Sequence, residues 1–181
     1  MQAAHLVNVN DLDPIDLCNY LEHKCYSGIA QSIKTITHYI DDLSTMPEGV
    51  EQIQLCSLLF GKLKDEAEQL MRNDKLIIFP LIRNDKGTKP CTGRKLPVTL
   101  IRAMNQKIML LLEKIRHHSN NYISKPSWGN TFKICNNELY QLEQQVQQVI
   151  YIKENTLLPK VEKLFNQDCA GGCSHDDNKP E

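Results

Sequence analysis

Two short stretches hold the residues best suited to chemistry inside this chain. Asp74-Lys75-Leu76-Ile77-Ile78-Phe79-Pro80 and Glu154-Asn155-Thr156-Leu157-Leu158-Pro159 each set an acid shortly before an apolar run that ends in proline. Each acid falls within or at the edge of an apolar stripe, so its carboxylate should point at least partly inward. A lone buried carboxylate is costly: it must find a partner, or its pKa rises. Lys75 and Lys153 each flank one of the acids, and spacing alone does not say whether either reaches inward. The shared pattern reads as a weak internal repeat. Proline inside a continuing apolar pattern normally kinks a helix, so a two-fold-like pair of kinked helices is expected, with coincidence the plain alternative over so few positions.

A second cluster lies in the tail. Cys169-Ala-Gly-Gly-Cys173-Ser-His175-Asp176-Asp177 brings two thiols, an imidazole and two carboxylates close together in sequence. Such donors suit zinc or copper(I), and the two thiols could also close a reversible disulfide. The spacing is not that of a structural zinc site, and a flexible tail loses entropy when it closes around a metal, so incidental cysteines in a disordered tail are the bland reading. His117 and His118 are adjacent, and neighbours on a helix point about 100° apart, which makes a shared metal awkward. His118 suits a helix C-terminus, where positive charge is favoured. His23 and His38 read as surface residues. The chain lacks Gly-x-x-x-x-Gly-Lys, a nucleophile elbow and a dinucleotide fingerprint, so nothing points to nucleotide or nucleophilic enzyme chemistry.

Helices must position these groups. The first opens at Asp13-Pro14, an N-cap followed by proline at the first helical position. Its stripe runs Leu17, Leu21, Cys25, Ile29, Ile33, Ile36, Ile40 and Leu43, at spacings of three and four. The second carries Ile53, Cys56, Phe60, Leu63, Ala67, Leu70, Asp74, Ile77 and Leu81. The third carries Ile101, Met104, Ile108, Leu111, Ile115 and, at its end, His118. The fourth carries Phe132, Cys135, Leu139, Leu142, Val146, Ile150, Leu157, Val161 and Leu164. Four such helices with mostly short connections predict an all-α, antiparallel up-down-up-down bundle. The expected division is an extension over 1–12, the bundle over 13–166 and a flexible tail over 167–181.

Composition narrows the rest. The 181 residues suit one domain with its own core. With 21 basic against 22 acidic residues and no basic cluster, nucleic acid is a poor partner. No apolar run approaches the roughly 20 residues that span a bilayer, and the N-terminus lacks the pattern of an export signal. Seven cysteines, an odd number, read as reduced thiols of a cytoplasmic protein, with Cys18, Cys25, Cys56 and Cys135 in helical patterns and Cys91 in a loop.

Residues Asp13 to Lys160 resemble the hemerythrin-like, HHE cation-binding domain, nearest to the di-iron type that repairs iron–sulfur clusters. The matching segments are Asp13-Pro14-Ile15-Asp16-Leu17, Asn19-Tyr20-Leu21, Leu76 to Ile82, Leu100-Ile101-Arg102-Ala103-Met104 and Glu154 to Pro159. Their order and spacing make the resemblance. It implies a four-helix bundle holding two irons on histidines from all four helices and carboxylates from the second and fourth. Carried over, the histidine positions fall on Cys25, Met46, Leu70, Ile108 and Ile150, and the carboxylate positions on Asp74 and Glu154. Leucine and isoleucine there would fill the cavity with hydrocarbon and remove the imidazole donors.

The expectation is therefore a degenerate hemerythrin-like domain without a cofactor, acting as a binding or regulatory module on an unnamed protein partner, with a homodimer open. Its rival is a non-haem iron protein of cluster repair built on Asp74, Glu154 and Cys25. A third reading is thiol, zinc or copper handling by Cys169, Cys173 and His175.

Overall fold

The computed structural model describes residues 8–45, 50–83, 96–126 and 128–163. They form an all-α four-helix bundle, as the periodicity predicts, and no strand occurs among them. Helix α1 spans 14–44, α2 spans 50–83, α3 is Val98–His118 and α4 spans 130–163. Cys91, Met46, Leu164 and the whole Cys169–His175 cluster lie outside the described residues.

Local chemistry explains the ends. Asp13 Oδ1 accepts from the backbone N–H groups of Ile15 and Asp16, both at 2.8 Å, and so satisfies donors that the first turn leaves free. Helix α3 ends at His118, and Ser119 rather than His118 is its C-cap. Asn120, Asn121 and Tyr122 then take positive φ values of 53°, 55° and 63°, a left-handed turn that asparagine tolerates and tyrosine does not favour. His118 is exposed, so the inward stripe of α3 stops at Ile115.

Cross-helix pairs show the antiparallel order. Ser32 meets Gln145 between α1 and α4, Glu66 meets Lys107 between α2 and α3, and Asn105 meets Glu154 while Arg116 meets Glu143 between α3 and α4. Arg83 Nη2, at the end of α2, reaches Asn19 at 2.9 Å and Glu22 at 2.7 Å near the start of α1. One continuous core of leucine, isoleucine, valine and aromatic side chains fills the interior.

The interruptions predicted in α2 and α4 are wide turns, and α1 holds a third that no proline announces. Residues Leu21–Cys25 of α1, Asp74–Ile78 of α2 and Lys153–Leu157 of α4 are π-helical. In each, an N–H bonds five residues back: Tyr26 to Leu21, Phe79 to Asp74, and Leu158 to Lys153. The second and third end two residues before Pro80 and Pro159, which have no N–H to continue the ladder. Each π turn acts as a one-residue insertion and rotates the remainder of its helix. From the end of the turn in α2 onward the buried residues are Ile78, Phe79 and Ile82, whereas the expected Ile77 is 51 % exposed and Leu81 is half-buried. Helix α1 shifts likewise: Tyr26 is buried where the spacing predicts Cys25.

Candidate functional site

All three π turns lie at one level of the bundle, where three polar side chains within or next to them meet at its centre. Tyr26, Asp74 and Lys153 are 1 %, 2 % and 1 % exposed. The Tyr26 hydroxyl donates to Asp74 Oδ2. Lys153 Nζ donates to the same oxygen at 2.5 Å. The Tyr26 ring stacks on Phe79, with centroids 6.0 Å apart, just beyond the π turn of α2. Three helices thus converge on one carboxylate oxygen.

The surroundings fix the protonation of the phenol. Burial pushes the Tyr26 hydroxyl well above its ordinary pKa, and the adjacent Asp74 charge and hydrogen bond push it further the same way. It therefore stays a donor. The nearby Cys18 thiol, fully buried, is pushed up to about 12, chiefly by desolvation. Toward the surface, Arg83 holds the Glu22 carboxyl below the usual range through their hydrogen bond.

Of the candidate ligands named from sequence, the structure brings only Asp74 to this centre, and of the two flanking lysines only Lys153 reaches it. Glu154 is half-buried and accepts from Asn105 Nδ2 at 3.0 Å, facing the seam between α3 and α4. Cys25 is half-buried beside Tyr20, and burial raises its thiol pKa. Leu70, Ile108 and Ile150 are core residues at 5 %, 1 % and 7 % exposure. Among the described residues no three His, Cys, Asp or Glu side chains gather closely enough to hold a metal ion. His23 is exposed, and exposed His38 lies 3.6 Å from Asp42.

The stripes miss Tyr26 and Lys153, although both leave a trace in them. The fourth stripe jumps from Ile150 to Leu157, and its vacant position is Lys153. A lysine on an inward stripe opposite an aspartate on another is the signature of an internal ion pair. Tyr26 is hidden by the π turn, since helical spacing from Leu21 selects Cys25.

A second polar cluster occupies another level. Glu143, 1 % exposed, accepts from Gln147 Nε2 at 2.8 Å and lies 3.5 Å from Arg116 Nη2. It also faces Tyr122, whose phenol is raised first by burial and then by Glu143. This network ties the left-handed turn after α3 to the middle of α4. Two hollows complete the relief. An open groove of about 950 Å³ runs between α3 and α4 past Asn105, Gln147 and Glu154. A small cavity of about 50 Å³ adjoins Asp74 and Lys153 between α2 and α3.

Chemically, then, the centre is one carboxylate neutralised by one ammonium and steadied by one phenol. No family model matches the chain. It is similar to the iron–sulfur cluster repair protein YtfE of Escherichia coli O157:H7, at 26 % identity over 119 residues, which are 66 % of this chain and 50 % of that protein. The same protein from Escherichia coli O1:K1 / APEC and from Escherichia fergusonii matches with equal identity and coverage. The chain therefore spans about half the length of the curated relatives it matches. This similarity and the all-α bundle together support a hemerythrin-like family. No helix among the described residues is long and apolar enough to cross a membrane.

Proposed function

We propose that the chain is a hemerythrin-like domain that works without a di-iron centre, as a cytoplasmic binding or regulatory module linked to iron or to nitrosative and oxidative stress. The link rests on the relatives, whose name is iron–sulfur cluster repair protein. The observation that carries the metal-free reading is the ammonium of Lys153 on Asp74 Oδ2. A cation bound there would have to displace a resident cation that offers donors only, while Tyr26 also contributes a donor instead of a lone pair. The residues present do not fit a pair of irons. Apolar Leu70, Ile108 and Ile150, at positions where the resemblance implies histidine, support the same reading.

Metal analysis of anaerobically purified protein tests it. The expected result is iron far below one per chain and an absorption spectrum without ligand-to-metal bands. Near-stoichiometric iron that disappears on Asp74→Ala or Glu154→Ala would overturn it in favour of an iron protein using Asp74, Glu154 and Cys25. Zinc or copper lost on deleting residues 168–181 would instead assign the activity to Cys169, Cys173 and His175.

A further inference from the structure

The buried ammonium of Lys153 has three N–H bonds and one acceptor. Its sole hydrogen bond among the described residues goes to Asp74 Oδ2, although the residue is 1 % exposed. Two N–H donors thus have no acceptor among the described residues, and unpaired donors on a buried charged group are among the costlier defects a core can carry. The 50 Å³ cavity adjoins that ammonium. Its walls are apolar, chiefly Leu70, Ile78, Ile101 and Met104, and its outer rim is Ile77 and Leu100, which are 51 % and 58 % exposed. Asn73 contributes little polarity, because its Nδ2 is turned to the thioether of Met104 at 3.6 Å. The space exceeds the roughly 10–15 Å³ that a single water requires.

We propose that this cavity is a binding site for a small uncharged oxygen-bearing molecule, an alcohol or carbonyl compound of about three non-hydrogen atoms. Its oxygen accepts from Lys153 and its hydrocarbon end lies against Ile101 and Met104. Charge selects the class. Asp74 already neutralises the ammonium, so an anion would be a second buried negative charge beside that carboxylate, and a cation would meet Lys153. Size and the apolar rim exclude larger polar ligands. The inference deepens the metal-free reading above, because it gives the binding module a ligand class at the same centre.

Ethanol and propane have equal numbers of non-hydrogen atoms and differ by one oxygen, which makes them a matched pair of probes. Each is titrated into the ¹⁵N-labelled full chain while amide shifts are followed. Ethanol should shift residues around the cavity, including Asn73, Ile101 and Lys153, with saturation at about 1 mM or above, the tightest range open to so small a ligand. Propane should bind at least about threefold more weakly, given one hydrogen bond to a charged group. Leu100→Trp changes an exposed rim residue and should abolish saturable shifts without altering the fold. Lys153→Met, if folded, should erase the preference for ethanol. Shifts that rise linearly, shifts unchanged by Leu100→Trp, or equal binding of propane would each overturn the proposal. Metal content measured on the same sample keeps the two readings apart: iron in the protein defeats the metal-free reading, whereas a metal-free protein that fails to bind defeats this one alone.

Discussion

Asp74 Oδ2 takes two hydrogen bonds from two other helices, and each donor makes a different demand on the fold. Removing one partner of a buried ion pair strands the other charge, so Lys153→Met should cost about 3–5 kcal/mol by urea denaturation. The double variant Lys153→Met/Asp74→Leu should recover most of that loss, because an apolar pair of similar volume suits a core. A double variant no more stable than Lys153→Met would show that the ammonium is not paired with Asp74. The pH response stems from the phenol and the thiols. Tyr26 and Cys18 have folded pKa values above their unfolded ones, as does Cys135, pushed up to about 12 by burial. Their protonated forms are kept by the folded state, so their contribution is complete at neutral pH and declines as the unfolded chain begins to ionise, from about pH 9 for the thiols and about pH 10 for the phenol. Melting temperature should therefore fall across pH 9–12, with a smaller fall in Cys18→Ala/Cys135→Ala. At pH 8, Cys18 and Cys135 should resist thiol reagents until the chain unfolds.

Three of the four helices carry a π turn within their core face. An α-helix advances about 100° per residue, so one added residue turns everything after it to a new face unless a wide turn absorbs it. Deleting exposed Leu76 from the π turn Asp74–Ile78 should convert that turn to ordinary α-helix and leave Ile78 and Ile82 buried. Deleting exposed Glu113 from α3, which has no such turn, should rotate Ile115 out of the core. Thermal melts by circular dichroism compare the two, and the Leu76 deletion is expected to be the milder by several degrees. Much of the helical frame is legible in the sequence. Asp13 as N-cap, the break after Ser44 and the four stripes come from local propensity and periodicity. The core residues past the π turn of α2 are not legible, since Ile77 and Ile78 are both apolar and either could continue the stripe, whereas Ile29 to Leu43 in α1 and Leu157 and Val161 in α4 are core residues that the stripes name.

For the molecule as a whole, the proposed metal-free reading predicts a bundle whose stability does not depend on metal. Thermal melting of the full chain should be unchanged within about 1 °C by excess strong chelator, because withdrawing a ligand that binds the folded state would lower stability with the logarithm of its affinity. A drop of many degrees would reveal a structural metal. The seam between α3 and α4 carries a broad open groove beside the paired Asn105 and Glu154.

An all-α bundle, its helix starts and stops, and the inward placement of Asp74 can all be read from the residues in order, because periodicity and capping are properties of neighbours along the chain. Which residues meet that carboxylate is settled only by packing in three dimensions. Cys25 and Tyr26 are neighbours that a straight helix and a π turn sort in opposite ways, and Lys153 and Glu154 are neighbours that both fit the gap between Ile150 and Leu157. The outcome depends on how three helices pack around one buried charge, where an ammonium and a phenol can satisfy a carboxylate that a second carboxylate would only repel.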